Sequence, residues 1–375
     1  MERLAYQFRL APTKGQQRRL EQTLETCRWV YNETLGYRKH AWEEREETIG
    51  LYETNALLPA WKDQRPALKQ VYSQVLQDVQ NRVHLAFDAF FRRVKRGETP
   101  GYPRFKGKGW YDSFTFKQTG FGFKVNGPWL DLSKIGRIQM IDHRPIEGTV
   151  KTLTIRRTAT GKWFACFSVE AEPEPLPAAQ RAVGVDVGLE QFATLSTGEQ
   201  VANLRFFRKD ERALAKAQRR LSKAEQGTWE RAKRRKVVAH IHERIANRRK
   251  DFAHKLSRRL VDEFGIIVFE DLSITRMIKN HALAKSIADA AWNQLATYTR
   301  YKAANAGRTY VEIDPRGTSQ RCSGCSLVVK KDLSVRVHQC PYCGLEIDRD
   351  LNAALNILAV GLHSIGSQPV EAHVL

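Results

Sequence analysis

Apolar and polar positions follow two different periods along the first half of the chain. Residues 3–10 alternate, which predicts a strand, and residues 114–170 alternate between glycine-containing turns, which predicts antiparallel strands in a small barrel. Between them a helical period begins after Pro12 and Thr13 and includes a separate charged helix around residues 40–47. We therefore predict a barrel of residues 1–10 and 97–172, with a helical module of residues 11–96 inserted after its first strand.

The second half alternates between strands and helices, which is typical of an α/β domain. Residues 171–180 are rich in Pro and Ala and predict a linker ahead of it. Apolar strands are predicted at residues 182–187 and 264–274, a long helix over residues 283–306 and a further strand at residues 308–314. We assign residues 181–317 and 346–362 to this domain, residues 318–345 to an insert and residues 363–375 to a C-terminal tail.

The charge of the chain is strongly positive and unevenly distributed. The formal net charge is +21, and residues 205–260 alone hold 20 Lys or Arg against six Asp or Glu, a net of +14. Their helical period predicts two long basic helices. A charged face can simply be solvated, but one this one-sided repels itself unless a polyanion lies nearby. Nucleic acid is the expected partner, with Arg234, Arg235 and Lys236 as candidate contacts.

Residues 97–125 interleave basic and aromatic side chains in a segment made irregular by Gly and Pro. This composition suits a nucleic-acid backbone together with base stacking. The alternative is a strand-rich rim with exposed lysines. Under the first interpretation, Arg104, Lys106 and Lys108 contact phosphates.

Four cysteines form two Cys-x-x-Cys pairs, one at positions 322–325 and the other at positions 340–343. Two such pairs can bind one Zn²⁺ tetrahedrally, and Gly344 after the second pair suits the tight turn that faces backbone N–H groups towards the sulfurs. A redox dithiol is the alternative, but no thioredoxin-like pattern surrounds them. We predict a structural zinc ribbon bound by Cys322, Cys325, Cys340 and Cys343.

Three acids occupy positions at which the local structure does not require a charge. Asp186 lies within an apolar strand, Glu270 ends a later strand, and Asp350 precedes a helical run. An acid before a helix is often only an N-cap, and a bare acid in a strand is costly. Three carboxylates brought together in a basic protein are suited to two Mg²⁺ ions acting on a phosphodiester. This layout resembles that of RNase H-like (RuvC-type) nucleases.

The chain has no apolar signal region at its N-terminus and no apolar run near the length needed to span a membrane, about 20 residues. Cys27 and Cys166, which stand outside the paired cysteines, are expected to be buried small hydrophobes in a reducing compartment. We therefore expect no membrane partner and a cytoplasmic location.

Several motifs together make the resemblance specific. GVDVGLEQFATLS, FEDLSI, TSQRCSGC, CPYCG and DRDLNAALNIL resemble segments of the TnpB family, and the N-terminal RLAPTKGQQRRLEQTLETCRWVYNETL and GYPRFK are similar as well. TnpB proteins are RNA-guided nucleases of insertion sequences and are related to type V CRISPR effectors. The resemblance covers nearly the whole chain. It departs at Ser326, where glycine is common after the first cysteine pair.

The resemblance implies an architecture, an activity and site residues. The fold would be a multi-domain α/β protein with a wedge-type β-barrel, an inserted helical recognition module and a RuvC-like nuclease domain interrupted by a zinc-ribbon target-nucleic-acid-binding module. A guide RNA from the transposon end would direct cleavage of double-stranded DNA beside a short transposon-adjacent motif, in a monomer with one RNA. By motif, Asp186, Glu270 and Asp350 would be catalytic and bind Mg²⁺ or Mn²⁺, and the four cysteines would bind Zn²⁺. Asp350 rather than Asp348 is chosen because it directly precedes the x-Asn-Ala-Ala run.

Three other functions are compatible with parts of the pattern. A DNA-strand transferase shares the fold and the acids but binds transposon ends without RNA. An RNA-guided repressor binds DNA without cutting, yet such proteins lose the acids that this chain retains. A zinc-finger transcription factor explains the cysteines but leaves the strand acids without a purpose.

Overall fold

The computed structural model describes residues 2–332 and 335–366, which divide into two compact units between Glu172 and Pro173. The division falls inside the Pro- and Ala-rich segment 171–180. Most of the predicted C-terminal tail, residues 367–375, lies outside the described residues. None of the helices in the described part of the chain is long and apolar enough to cross a membrane.

The first unit contains a seven-stranded antiparallel sheet, as the alternating pattern predicts. Phe116 and Phe123, on the two end strands, have ring centroids 6.4 Å apart, so the sheet curls around its aromatic core. Closure of the ends into a barrel stays a prediction. In the order β2-β6-β7-β1-β5-β4-β3, the strands are β1 (Glu2–Ala11), β2 (Ser113–Phe116), β3 (Phe123–Asn126), β4 (Trp129–Leu132), β5 (Gly136–Ile141), β6 (Thr149–Arg157) and β7 (Trp163–Ala171).

Helices fill the sequence between β1 and β2. Thr13 caps the first of them in a reciprocal capping box with Gln16. The separate helix predicted around residues 40–47 is wrong: the first helix continues to Arg45, because nothing breaks it before Glu46 adopts a left-handed conformation (φ 52°). The helices are α1 (Lys14–Arg45), α2 (Leu51–Ala56), α3 (Leu58–Gln64), a 3₁₀ turn (Pro66–Gln70) and α4 (Ser73–Lys95).

The second unit is built on a five-stranded mixed sheet. Its first three strands form an antiparallel meander, and the remaining two run parallel to the first. A separate two-stranded hairpin flanks the second cysteine pair, Cys340 and Cys343. In the order β10-β9-β8-β11-β12, the sheet strands are β8 (Ala182–Val187), β9 (Gln191–Leu195), β10 (Gln200–Ala202), β11 (Ile266–Glu270) and β12 (Thr309–Ile313), and the hairpin is β13 (Val337–Gln339) with β14 (Glu346–Asp348).

The two long basic helices are confirmed, but the long helix over residues 283–306 is wrong. It breaks at Ala291, which is left-handed (φ 56°). Before the break, Asp289 accepts a hydrogen bond from the amide of Phe207 in the first turn of a basic helix, and after it Trp292 is buried in the core. The helices are α5 (Phe206–Ser222), α6 (Trp229–Glu263), α7 (Ile274–Met277), α8 (His281–Ala290), α9 (Trp292–Asn305) and α10 (Arg349–Ser364).

The two faces of this sheet bury different helices. Val183, Val185 and Phe269 point into the larger core with α6, α8 and α9. Val268 points to the opposite face, where it packs against α10. Because side chains alternate along a strand, every second residue of β8 and β11 faces α10.

Candidate metal centre and cysteine site

Asp186 and Glu270 lie side by side at one edge of the five-stranded sheet. Strands β8 and β11 are parallel and in register up to the pair Val185 and Phe269, so the two acids are each one residue beyond the last pair. Neighbouring strands are about 4.8 Å apart, and residues in register share a face. Both acids therefore project on the face that α10 covers.

Helix α10 brings Asp350 to the same edge because glycine allows it to lie directly on β8. A Cβ on Gly184 would stand 2.2 Å from the carbonyl oxygen of Ala354 and 2.7 Å from the amide of Leu358. From this contact, the direction along β8 that leads to Asp186 is also the direction along α10 that leads to the N-terminus of the helix. The first turn of α10, with Asp350, thus reaches the end of the strand that carries Asp186.

The N-cap of α10 is Asp348, not Asp350. One carboxylate oxygen of Asp348 accepts hydrogen bonds from the backbone amides of Asp350 (2.9 Å) and Leu351 (3.0 Å). The alternative that Asp350 serves only as a cap is therefore wrong, and its carboxylate is available for other contacts.

Electrostatics connect the three acids. Burial first, and the negative charges of Glu270 and Asp350 next, raise the pKa of Asp186 to about 8, with a smaller opposing effect from Arg349. Burial also raises the pKa of Glu270, against a hydrogen bond that Thr318 Oγ1 donates to Glu270 Oε1 over 2.6 Å. A bound cation would offset the cost of ionising Asp186 and Glu270.

Two arginines already contact one of these acids. Arg349 donates to Asp350 Oδ1 from Nε (3.0 Å) and Nη2 (2.8 Å), and Arg336 Nη1 lies 3.8 Å from Asp350 Oδ2. Arg336 also pairs with Glu190, an exposed residue. The negative charge of Asp350 is therefore partly offset by arginines, whereas the principal charged neighbours of Asp186 are carboxylates.

The four cysteine sulfurs lie within 4.8 Å of one another, the one such group of ligand atoms among the described His, Cys, Asp and Glu side chains. The sulfurs of Cys322 and Cys343 are 3.6 Å apart and those of Cys325 and Cys340 are 3.5 Å apart. Tetrahedral zinc with Zn–S bonds of about 2.3 Å would separate its sulfurs by about 3.8 Å. The cysteines fit this metal, whereas the three acids are more widely spaced.

The two cysteine pairs are built alike. Backbone amides of Leu327 and Leu345 bond the sulfurs of Cys325 and Cys343, respectively. The residues that follow those cysteines, Ser326 (φ 62°) and Gly344 (φ 75°), are both left-handed. Ser326, the departure from the family pattern, thus keeps the turn geometry that glycine usually provides.

Sequence reasoning missed the polar residues that join the cysteine segment to α10. Asn352 Oδ1 accepts from the amide of Ser323, and its Nδ2 donates to the carbonyl of Arg321. Asn356 Nδ2 donates to the carbonyls of Thr318 and Arg321. The sequence did contain one indication of these contacts. Two asparagines four residues apart lie beside an apolar helical stripe, and buried amide groups need hydrogen-bond partners.

The candidate nucleic-acid contacts differ in their exposure and in the protein groups that they already contact. Arg104, Lys108, Arg235 and Lys236 are exposed, whereas Arg234 is half-buried and pairs with Glu230. The Lys106 amide donates to Asn32, and its ammonium lies 5.5 Å from the centroid of the Tyr31 ring. Their contacts with RNA or DNA stay predictions.

Three family models match the chain. A helix-turn-helix domain model matches residues 1–47, the probable transposase model OrfB_IS605 matches residues 166–281, and the Cas12f1-like TNB domain model matches residues 292–357. The second match contains Asp186 and Glu270. The third contains the four cysteines and Asp350.

Relatives match over nearly the full length. A Streptomyces pristinaespiralis protein named "Putative RNA-guided DNA endonuclease" is 39% identical over 366 residues, which is 96% of this chain and 89% of that protein. InsQ of Escherichia coli K12, which carries the same description, is 30% identical over 383 residues, 96% of this chain and 93% of that protein.

A solved structure shares the fold at low sequence identity. It is the cryo-EM structure of the Cas12f1-sgRNA-target DNA complex, with a TM-score of 0.54 and 15% identity over 90% of this chain and 81% of that chain. From the identity and coverage of the full-length relatives, and in agreement with its motifs, the chain belongs to the TnpB family of insertion-sequence proteins.

Proposed function

We propose that this protein is an RNA-guided, divalent-metal-dependent DNA endonuclease. The observation that carries the proposal is the convergence of Asp186, Glu270 and Asp350 at one sheet edge, where burial and mutual repulsion raise the pKa of Asp186 to about 8. The names of the full-length relatives support the same activity.

The RNase H-like, RuvC-type assignment rests on how these acids are placed. One lies in a strand, one at the end of the parallel neighbour, and one in the first turn of the helix that covers both. Within this domain, Asp186, Glu270 and Asp350 would hold two Mg²⁺ or Mn²⁺ ions. When bound, such ions activate water and stabilise the leaving oxygen in phosphodiester hydrolysis, which leaves 5′-phosphate and 3′-hydroxyl ends.

The residues around the acids have defined tasks in this mechanism. Thr318 donates a hydrogen bond from its hydroxyl to Glu270, and Asp348 fixes the start of α10 so that Asp350 faces the sheet edge. Asp186 holds a proton near neutral pH when no cation is present, and would lose it to solvent where a bound cation favours the charged carboxylate. Arg349 and Arg336 pair with Asp350 and partly offset its negative charge.

Cys322, Cys325, Cys340 and Cys343 would hold a structural Zn²⁺, which the spacing of their sulfurs supports. The basic helices α5 and α6 and the segment 97–125 would follow the phosphates of guide RNA and target DNA. Pairing of guide and target would supply sequence specificity, while the protein recognises the heteroduplex by shape and a short adjacent motif directly. The expected active form is a cytoplasmic monomer with one guide RNA.

The second candidate function is DNA-strand transfer, which the description of the transposase model favours. The two functions differ in their need for RNA. Purification of the protein from cells that carry its insertion sequence, followed by sequencing of bound nucleic acid, separates them. We expect RNA from the transposon end, with guided cutting lost after RNase treatment. Binding of transposon ends by RNA-free protein would favour the transferase.

A further inference from the structure

A chain of hydrogen bonds with three buried side chains runs from the cysteine site to Glu270. It begins at the amide of Ser323, next to Cys322, which donates to Asn352 on α10. Asn352 and Asn356 both donate to the carbonyl of Arg321, and Asn356 also donates to the carbonyl of Thr318. The hydroxyl of Thr318 ends the chain on the carboxylate of Glu270.

Three side chains of this chain are too deeply buried to exchange their partners for water. Relative exposure is 0% for Asn352, 6% for Asn356 and 7% for Thr318. Removal of one partner would leave a buried polar group unsatisfied, which costs more than the net gain from a single hydrogen bond. The geometry at Glu270 and the geometry at the first cysteine pair are therefore fixed together.

The same segment also reaches Asp350. The Arg349 amide donates to the carbonyl of Arg336, and Arg349 Nη1 donates to the carbonyl of Val335. Both arginines contact Asp350, as described above. Glu270 is thus contacted by Thr318, which precedes the first cysteine pair. Asp350 is contacted by Arg336 and Arg349, which precede and follow the second pair.

Resting on the proposed function, we propose that Thr318 is a positioning residue that couples the zinc module to the metal centre by orienting Glu270. The coupling is mutual: a folded, zinc-loaded module presents Glu270 correctly, and a divalent ion on the acids stabilises the module. The acids alone do not set the metal affinity of this enzyme.

The experiment compares divalent-metal affinity in three variants of the full chain. Thr318→Val removes the hydroxyl at nearly constant volume, Thr318→Ser restores it, and Thr299→Val removes another buried hydroxyl, whose hydrogen bond lies within α9. Mn²⁺ binding, followed by electron paramagnetic resonance, is expected to weaken by about 10- to 100-fold in Thr318→Val. Thr318→Ser and Thr299→Val should bind as the unsubstituted protein does. Equal affinity in Thr318→Val overturns the inference.

An Asp186→Ala arm separates this inference from the proposed function. If the unsubstituted protein binds Mn²⁺ no better than Asp186→Ala, the metal centre itself is wrong. If Asp186→Ala loses the ions while Thr318→Val keeps them, only the coupling is wrong.

A second measurement serves if Thr318→Val does not fold. Saturating Mg²⁺ should slow the release of zinc from the unsubstituted protein to a chromogenic chelator, and Asp186→Ala should abolish that effect. Identical release rates with and without Mg²⁺ overturn the coupling.

Discussion

Asp186 makes the stability of the protein depend on pH when no divalent ion is added. Its pKa is about 8 in the folded protein, against an ordinary value of 3.8, so the folded state keeps a proton that the unfolded state releases. The resulting stabilisation is complete below the unfolded pKa and is lost as pH rises through the folded value. The free energy of unfolding of the second unit should therefore fall from pH 5 to pH 8.

Urea denaturation of metal-free protein at several pH values checks this expectation. Asp186→Asn keeps the shape of the side chain but has no proton to release, so the decrease should largely disappear. Asp262→Asn, which alters an exposed acid paired with Arg258, should retain it. Parallel decreases in Asp186→Asn and the unsubstituted protein would contradict the assignment.

Ser326 lies in a left-handed turn that glycine occupies without strain. Ser326→Gly should stabilise the cysteine site by about 0.5–1 kcal/mol, and Gly344→Ser at the equivalent turn should destabilise it by a similar amount. Equilibrium zinc retention against a chelator should change by about two- to fivefold in opposite directions. Weaker retention in Ser326→Gly would show that the hydroxyl has a role of its own.

Sequence reasoning identified the candidate metal-binding residues more readily than the residues that contact them. Asp186, Glu270 and the cysteines stand out because their residue types are costly or rare at those positions. Thr318 and Asn356 do not, since threonine and asparagine are ordinary in turns and helices. Their roles depend on contacts between segments that are distant in sequence, which local patterns do not contain.

At the scale of elements, two glycines allow α10 to pack closely on the sheet. Gly184 lies on β8 and faces the helix, and Gly361 belongs to the helix itself. A Cβ on Gly184 would overlap the α10 backbone, and a Cβ on Gly361 would lie 2.4 Å from Val268. Gly184→Ala should cost about 3 kcal/mol and displace the first turn of α10 from Asp186. Thermal unfolding and guided cleavage should both be impaired.

Gly15→Ala is the matched control, because nothing lies within 4 Å of its added Cβ and it sits in the first turn of a helix. It should leave both properties unchanged or raise stability slightly. Wild-type cleavage in Gly184→Ala would mean that the α10 contact does not determine the position of Asp350.

Most elements followed from periodicity, and the exceptions have identifiable causes. The strands β8, β11 and β12 and the basic helices α5 and α6 agree with the pattern because their apolar residues follow the period of a strand or of a helix. The break at Ala291 could not be predicted, since alanine favours helix and the left-handed turn depends on tertiary contacts of its neighbours. The end of α1 at Glu46 is similar, because Glu46 is also a residue type that favours helix and is also left-handed.

At the scale of the molecule, the charge of +21 predicts affinity for nucleic acid that depends on salt. Arg235 and Lys236 are exposed on α6. Replacing both with Gln should reduce the slope of log affinity against log salt concentration by about 2 if each contacts one phosphate. Arg258→Gln on the same helix, where Asp262 already pairs the charge, should leave the slope nearly unchanged. An unaltered slope in the double variant would remove these residues from the interface.

The division of the chain into two units was more predictable than the geometry within each unit. Composition marked the segment in which the two units divide, and the motifs indicated the family. The register that aligns Asp186 with Glu270 depends on the pairing of two strands that are far apart along the chain, which the sequence pattern alone does not specify.

Guided cleavage by an acid variant tests the central claim most directly. The RNA-bound protein with Mg²⁺ should cut double-stranded DNA that matches its guide beside the adjacent motif. Asp186→Ala should bind the same DNA with unchanged affinity but cut it about 1,000-fold more slowly, a loss of about 4 kcal/mol of transition-state stabilisation. Cleavage by Asp186→Ala at the rate of the unsubstituted protein would contradict the account.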